Sequence, residues 1–174
     1  MRRFPISADS GRFGPWMFGL FWVTALGLLT LYFSGVLEQR HNPNQRLESS
    51  VSATGQQQVV LERNAYGHYV AMGSINGQPV EFLVDTGATY LGIPAAVARR
   101  LQLKEGAASF SQTAGGVVRT YLVKLDNVSL GGIQRHGVTA SVLPDMPGEG
   151  VLLGMSFLKD LEIVQSGNTL TLRW

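Results

Sequence analysis

The pattern of apolar and polar positions divides this chain into three zones. Residues 13–37 form a run of 25 positions without a charge, rich in Leu, Phe, Trp and Gly. About 20 apolar residues suffice to cross a bilayer as a helix. Trp16 and Trp22 near one end, with Tyr32 near the other, suit an interfacial aromatic belt. No small-x-small cleavage site follows, so an uncleaved transmembrane helix is expected. Residues 38–58 are polar and turn-rich, with Asn42-Pro43-Asn44, Ser49-Ser50 and Gln56-Gln57-Gln58, and predict a flexible tether. The pattern then changes to short apolar runs separated by glycine turns.

Those runs predict a mostly β domain over residues 59–174. Val59-Val60-Leu61 opens it, and a strand over 69–75 leads into Asn76-Gly77. That dipeptide is a strong hairpin signal, because both central residues of a type I′ turn need positive φ. The returning strand covers 78–84. Pro94 opens a predicted helix over 94–103, proline being favoured at a helix start. A hairpin tip is expected around 113–118, with an alternating strand over 119–125. Gly131-Gly132 marks a further turn, and residues 137–143 a further strand. A short helix is expected over 154–161, and Gly167-Asn168 turns the chain into a last strand over 169–174. Many short strands with two short helices predict an all-β, closed or nearly closed barrel preceded by one transmembrane helix.

Charge is distributed unevenly. Up to Arg46 there are five arginines against two acidic residues; from Leu47 onward, nine Lys/Arg stand against ten Asp/Glu. The high isoelectric point therefore belongs to the anchor and its flanks. The near-neutral domain gives nucleic-acid binding no electrostatic support. Arg2, Arg3 and Arg12 precede the span, while Arg40 and Arg46 follow it. The positive-inside rule then predicts a cytoplasmic segment 1–12 and a domain facing the periplasm of a bacterium, on its inner membrane. The Arg2-Arg3 pair lacks the surroundings of a twin-arginine export signal. Cysteine is absent, which excludes a thiol nucleophile, disulfides and thiolate metal sites.

The chemistry concentrates at Phe82-Leu83-Val84-Asp85-Thr86-Gly87-Ala88-Thr89. An apolar strand runs straight into a carboxylate, a placement that is costly unless the group is hydrogen-bonded or catalytic. As a bare tripeptide Asp-Thr-Gly is an ordinary turn or cap sequence, so its neighbours decide its meaning. Downstream come the glycine-rich hairpin Ala114-Gly115-Gly116-Val117 and the run Val151-Leu152-Leu153-Gly154-Met155-Ser156-Phe157-Leu158. In this order the three features resemble the active-site loop, flap and Leu-Leu-Gly element of retropepsin-like aspartic proteases. The resemblance covers residues 59–174. Gly67-His68-Tyr69 and the Ile75–Val80 hairpin narrow it to the membrane-anchored, single-domain proteins of proteobacteria.

The resemblance implies that Asp85 is catalytic and supplies one of two carboxylates that share a proton around a water molecule. It further implies a homodimer, with two Asp85 side chains meeting on a two-fold axis. Thr86 would bond across that axis, Gly87 would offer its N–H to the carboxylate, and Ala88 and Thr89 would complete the loop. Leu152, Leu153 and Gly154 would pack beside it, and residues 114–117 would form the flap. The expected substrate is a polypeptide, with no metal and no cofactor. A rival keeps the fold and drops the chemistry: a catalytically silent domain that binds extended peptides by strand addition.

Other candidates are weaker. Asp9-Ser10-Gly11 follows Ile6-Ser7-Ala8 rather than an apolar strand and is assigned no role. His41 falls in the tether, and His68 and His136 lack metal-ligand spacing. Asp126, Asp145 and Asp160 read as solvated or capping carboxylates, Arg99-Arg100 as a polar helix face. No Gly-x-Ser-x-Gly elbow occurs.

Overall fold

A computed structural model of the chain describes residues 14–51, 55–104, 106–113 and 115–174. They form two compact units that divide between Gln39 and Arg40. The Asp9-Ser10-Gly11 sequence and Ala114 lie outside the described residues. The first unit is helical: α1 (Gly14–His41) runs past the uncharged segment. Among the described residues it is the one helix long and apolar enough to cross a membrane. Its large side chains, Trp16, Phe21 and Leu31 among them, are exposed.

The second unit contains β1 (Ser49–Val51), β2 (Gln57–Glu62), β3 (Val70–Ile75), β4 (Gln78–Val84) and β5 (Leu91–Pro94). After α2 (Ala95–Arg100) come β6 (Ala108–Thr113), β7 (Gly116–Leu130), β8 (Ile133–Leu143) and β9 (Val151–Leu153). The chain closes with α3 (Met155–Leu158), β10 (Glu162–Ser166) and β11 (Thr169–Arg173). Seven strands join in the order β3-β4-β9-β5-β8-β7-β6, and β7 pairs back onto β3 at Ser74↔Ser129 and Ile75↔Val128. That second pairing nearly closes the sheet into a ring, as expected. A smaller sheet runs β1-β2-β11-β10. Alternating residues of both sheets fill one core, with Phe82, Leu61, Ile75, Leu125, Leu153, Phe157 and Leu172 fully buried.

Local chemistry accounts for the boundaries. Asn76 and Gly77 adopt φ of 50° and 77°, as a type I′ turn demands. The Asn76 side chain also accepts from Asn127 N (3.1 Å), tying the hairpin to β7. Helix α2 stops three residues before the predicted end. Gln102 takes a left-handed φ of 55°, while Leu103 N donates to Ala98 O and Gln102 N to Arg99 O. Those two bonds are a Schellman closure, here built without the usual glycine.

The segment expected to be a tether is partly built into the domain. Asn42 and Asn44 are 2% and 5% exposed. Asn44 donates to Glu62 O (2.9 Å) and Val70 O (2.7 Å) and accepts from Glu62 N (2.7 Å). Its carbonyl accepts from Met72 N, and β1 pairs with β2. Asn44→Ala would leave three backbone groups unsatisfied at the junction of the two sheets. At roughly 1 kcal/mol each, the variant should lose about 3 kcal/mol in denaturant melts. A fragment beginning at Val59 lacks these contacts and should be less stable than one beginning at Arg40.

Candidate active site

Three elements converge on Asp85. Strand β4 delivers it and runs parallel to β9 with Leu83 opposite Leu152 and Val84 opposite Leu153. The ladder continues one step, with Asp85 N donating to Leu153 O at 3.1 Å. The loop then turns on itself: Ala88 N donates to Asp85 O (3.3 Å), and Gly87 N donates to Asp85 Oδ1 at 2.9 Å. This is the Gly87 bond expected from the sequence.

The return of the loop is held by α3. Met155 N donates to Ala88 O (2.7 Å) and Ser156 N to Thr89 O (2.9 Å). Ser156 Oγ accepts from Leu91 N at 3.0 Å. Gly154 makes this contact possible. A Cβ there would lie 2.2 Å from Tyr90 O and 2.7 Å from Ala88 O. The structure therefore brings Asp85, Thr86, Gly87, Ala88, Thr89, Leu152, Leu153 and Gly154 together as one unit. Ser156 carried no expected role; its only sequence signal is a hydroxyl two residues after that glycine.

The loop faces outward in the single chain. Asp85 is half-buried, while Thr86, Gly87 and Thr89 are exposed. One carboxylate oxygen accepts from Gly87, and no described second carboxylate is bonded to it. Asp85 is thus held in place and open to an outside partner.

The β6–β7 hairpin reaches Gly115 at its tip, and Gly116 adopts φ of 112°. Val117 and Phe110 are 64% and 73% exposed. Alternation turns Val118 the other way, into a cavity of about 270 Å³ shared with Leu143, Pro144, Asp145, Met146 and Leu152. A larger cavity of about 700 Å³ is bordered by Leu83, Glu81, His68, Tyr66, Gly150 and His41, among others.

His41 and Asp160 both have defined partners, and Asp160 remains solvated as expected. His41 bonds Glu81 Oε1 through Nε2 at 2.9 Å, and Asn42 Nδ2 donates to Glu81 Oε2 at 2.9 Å. Asp160 pairs with Arg135, whose guanidinium hydrogen bond holds the carboxyl below its usual range. Arg135 also donates to Phe157 O (2.9 Å) and lies 4.5 Å from the Trp174 ring centroid. It thereby fastens α3, and through α3 the Asp85 loop, to Trp174, the residue that follows β11. His136 contacts Asp126 O, and Arg100 donates to Pro79 O. Among the described residues no cluster of His, Cys, Asp or Glu could hold a metal ion.

Residues 71–160 match the family described as "gag-polyprotein putative aspartyl protease", and the chain belongs to that family. In structure it is similar to a retropepsin-like aspartic protease from Rickettsia conorii. The TM-score is 0.58 at 20% identity, over 75% of this chain and 96% of the other. That likeness shows the fold. In sequence it is similar to an uncharacterized protein in the cobV 5′ region of Sinorhizobium sp, 34% identical over 114 residues. The match covers 64% of this chain and 49% of the relative, so the chain spans about half the length of that curated protein.

Proposed function

We propose that the chain is a membrane-tethered aspartic endopeptidase whose active site forms when two copies meet. The observation that carries this reading is the Asp85 loop, braced from behind by Leu153 and Ser156 yet exposed at Thr86 and Gly87. A backbone so firmly held and a carboxylate so open suit a surface completed by an identical loop. Two carboxylates brought close cannot both ionise, so the pair keeps one proton and titrates as a unit. The ionised Asp85 takes a proton from water as the water oxygen bonds to the scissile carbonyl carbon. The protonated partner gives its proton to the carbonyl oxygen. Collapse of the tetrahedral intermediate breaks the C–N bond: the proton gained from water passes to the leaving amine, and the hydroxyl formed from the carbonyl oxygen returns its proton to the partner carboxylate.

Thr86 stabilises the pair across the axis and the β6–β7 hairpin covers the substrate. Helix α1 anchors the chain in a bacterial inner membrane with the domain in the periplasm. The test is digestion of a proteome-derived peptide library by the full chain in detergent, from pH 3 to 7, read by mass spectrometry. New termini confined to conditions where sedimentation shows dimer support the reading. Peptide binding without any new terminus would instead mark a silent peptide-binding domain.

A further inference from the structure

We propose that the substrate is the juxtamembrane stretch of another membrane-anchored polypeptide, cut where it leaves the bilayer. This rests on the reading of Asp85 as half a proteolytic site and of α1 as an anchor. Two observations carry it: the domain binds its N-terminal segment from Arg40 onward, and a cavity of about 700 Å³ is bordered by His41, Asn64 and Glu81, which take part in those contacts.

Hydrogen bonding to the domain begins at its first residue. Arg40 O accepts from Ala65 N (3.2 Å) and His41 O from Asn64 Nδ2 (2.8 Å). His41 and Asn42 grip both oxygens of Glu81, and Asn44 is buried between β2 and β3. The polar composition of residues 38–58 would allow a flexible chain with a mean reach of roughly 25 Å and a full extension near 70 Å. That freedom is gone. Leu37, the last residue of the uncharged run, is four residues from His41. Even fully extended, four residues span at most about 14 Å. The polar headgroup layer is itself roughly 5–8 Å thick on each side of the hydrocarbon.

His41 is also part of the wall of the cavity that Leu83 borders, and Leu83 is two residues from Asp85. A peptide segment that occupies this cavity therefore lies against a residue only four positions along the chain from the end of the uncharged run. Segments held at the same surface meet the site at high effective concentration. Segments carried away from the surface on a stiff arm do not reach it.

The test uses the full chain in phosphatidylethanolamine–phosphatidylglycerol vesicles with single-span reporter polypeptides. Each reporter carries one susceptible sequence, held 5 or 40 residues from its span by a helical spacer of about 1.5 Å per residue. The near site should be cut at least tenfold faster than the far site. Inserting a 20-residue Gly-Ser linker between Gln39 and Arg40 should bring the two rates within about twofold. Equal near and far rates for the unmodified chain, or a ratio that the linker leaves unchanged, would overturn the proposal. If neither site nor the same sequence as a free peptide is cut, the proteolytic reading itself falls, and this proposal with it.

Discussion

Asp85→Asn should lower peptide cleavage by at least about 10³-fold, while the variant melts within about 1 kcal/mol of the parent. The two effects separate because the group does two jobs. Structurally, Asp85 Oδ1 accepts from Gly87 N at 2.9 Å, and an amide oxygen accepts that bond equally well. One retained hydrogen bond limits the stability change to the order of 1 kcal/mol. Chemically, an amide cannot take a proton from water or hand one to a carbonyl oxygen. Acid–base catalysis by a positioned side chain contributes about 10²–10⁴-fold, and in a homodimer of the variant both members of the pair are amides, so acid and base are lost together. Asp85→Ala should match the kinetic loss and cost more stability, since it strands Gly87 N. Calorimetry and initial rates on the same preparations separate the two effects.

Gly154→Ala should be among the most damaging single-methyl additions in the domain. The added carbon would sit 2.2 Å from Tyr90 O and 2.7 Å from Ala88 O. Both are backbone atoms, so no side-chain rotation relieves the clash. Either the Asp85 loop or the start of α3 must move, and the bonds from Met155 N and Ser156 N hold the two together. We expect a loss of about 3–4 kcal/mol, at or just above the upper end of what overpacking typically costs, because only backbone atoms can yield. That corresponds to a fall in Tm of roughly 10–25 °C. Residual activity at low temperature should fall further than the folded fraction, because the loop is displaced even where the domain survives. Circular dichroism melts set beside rates at 10 °C would show this; a melt unchanged within 3 °C would contradict the packing argument.

The site loop was legible because it is local. Strand β4, the Asp-Thr-Gly turn and the Leu-Leu-Gly strand carry their instructions in consecutive apolar residues and glycines, and their pairing follows from one another. The Asn76-Gly77 turn was legible for the same reason, both residues having the positive φ that their chemistry permits. Strand β6 was not foreseen. Its sequence, Ala-Ser-Phe-Ser-Gln-Thr, lacks an apolar face because neither side of the hairpin tip is deeply packed. The apolar pattern predicts a strand from Gly137, whereas β8 begins at Ile133 and carries Gly137 through at φ 65°. The end of α2 was overrun because Gln102, not glycine, takes the left-handed position.

Residues 42–44 misled for a deeper reason. Asparagine is favoured both in solvated turns and as a buried hydrogen-bond hub, and composition does not distinguish the two. Only the backbone groups of Glu62 and Val70, which no local pattern places near Asn44, make it a core residue. The same limit applies to the Asp85 loop, for which the proposed second carboxylate would come from another copy of the chain.

The most direct test of the claim that two copies each give one Asp85 is a subunit-mixing titration. Parent and Asp85→Asn chains are co-expressed at known ratios, and cleavage is measured at constant total protein. If both carboxylates are needed, activity follows the square of the parent fraction, falling to about one quarter at a one-to-one ratio. Activity falling only to one half, in proportion to the parent chain, would mean that each copy works alone.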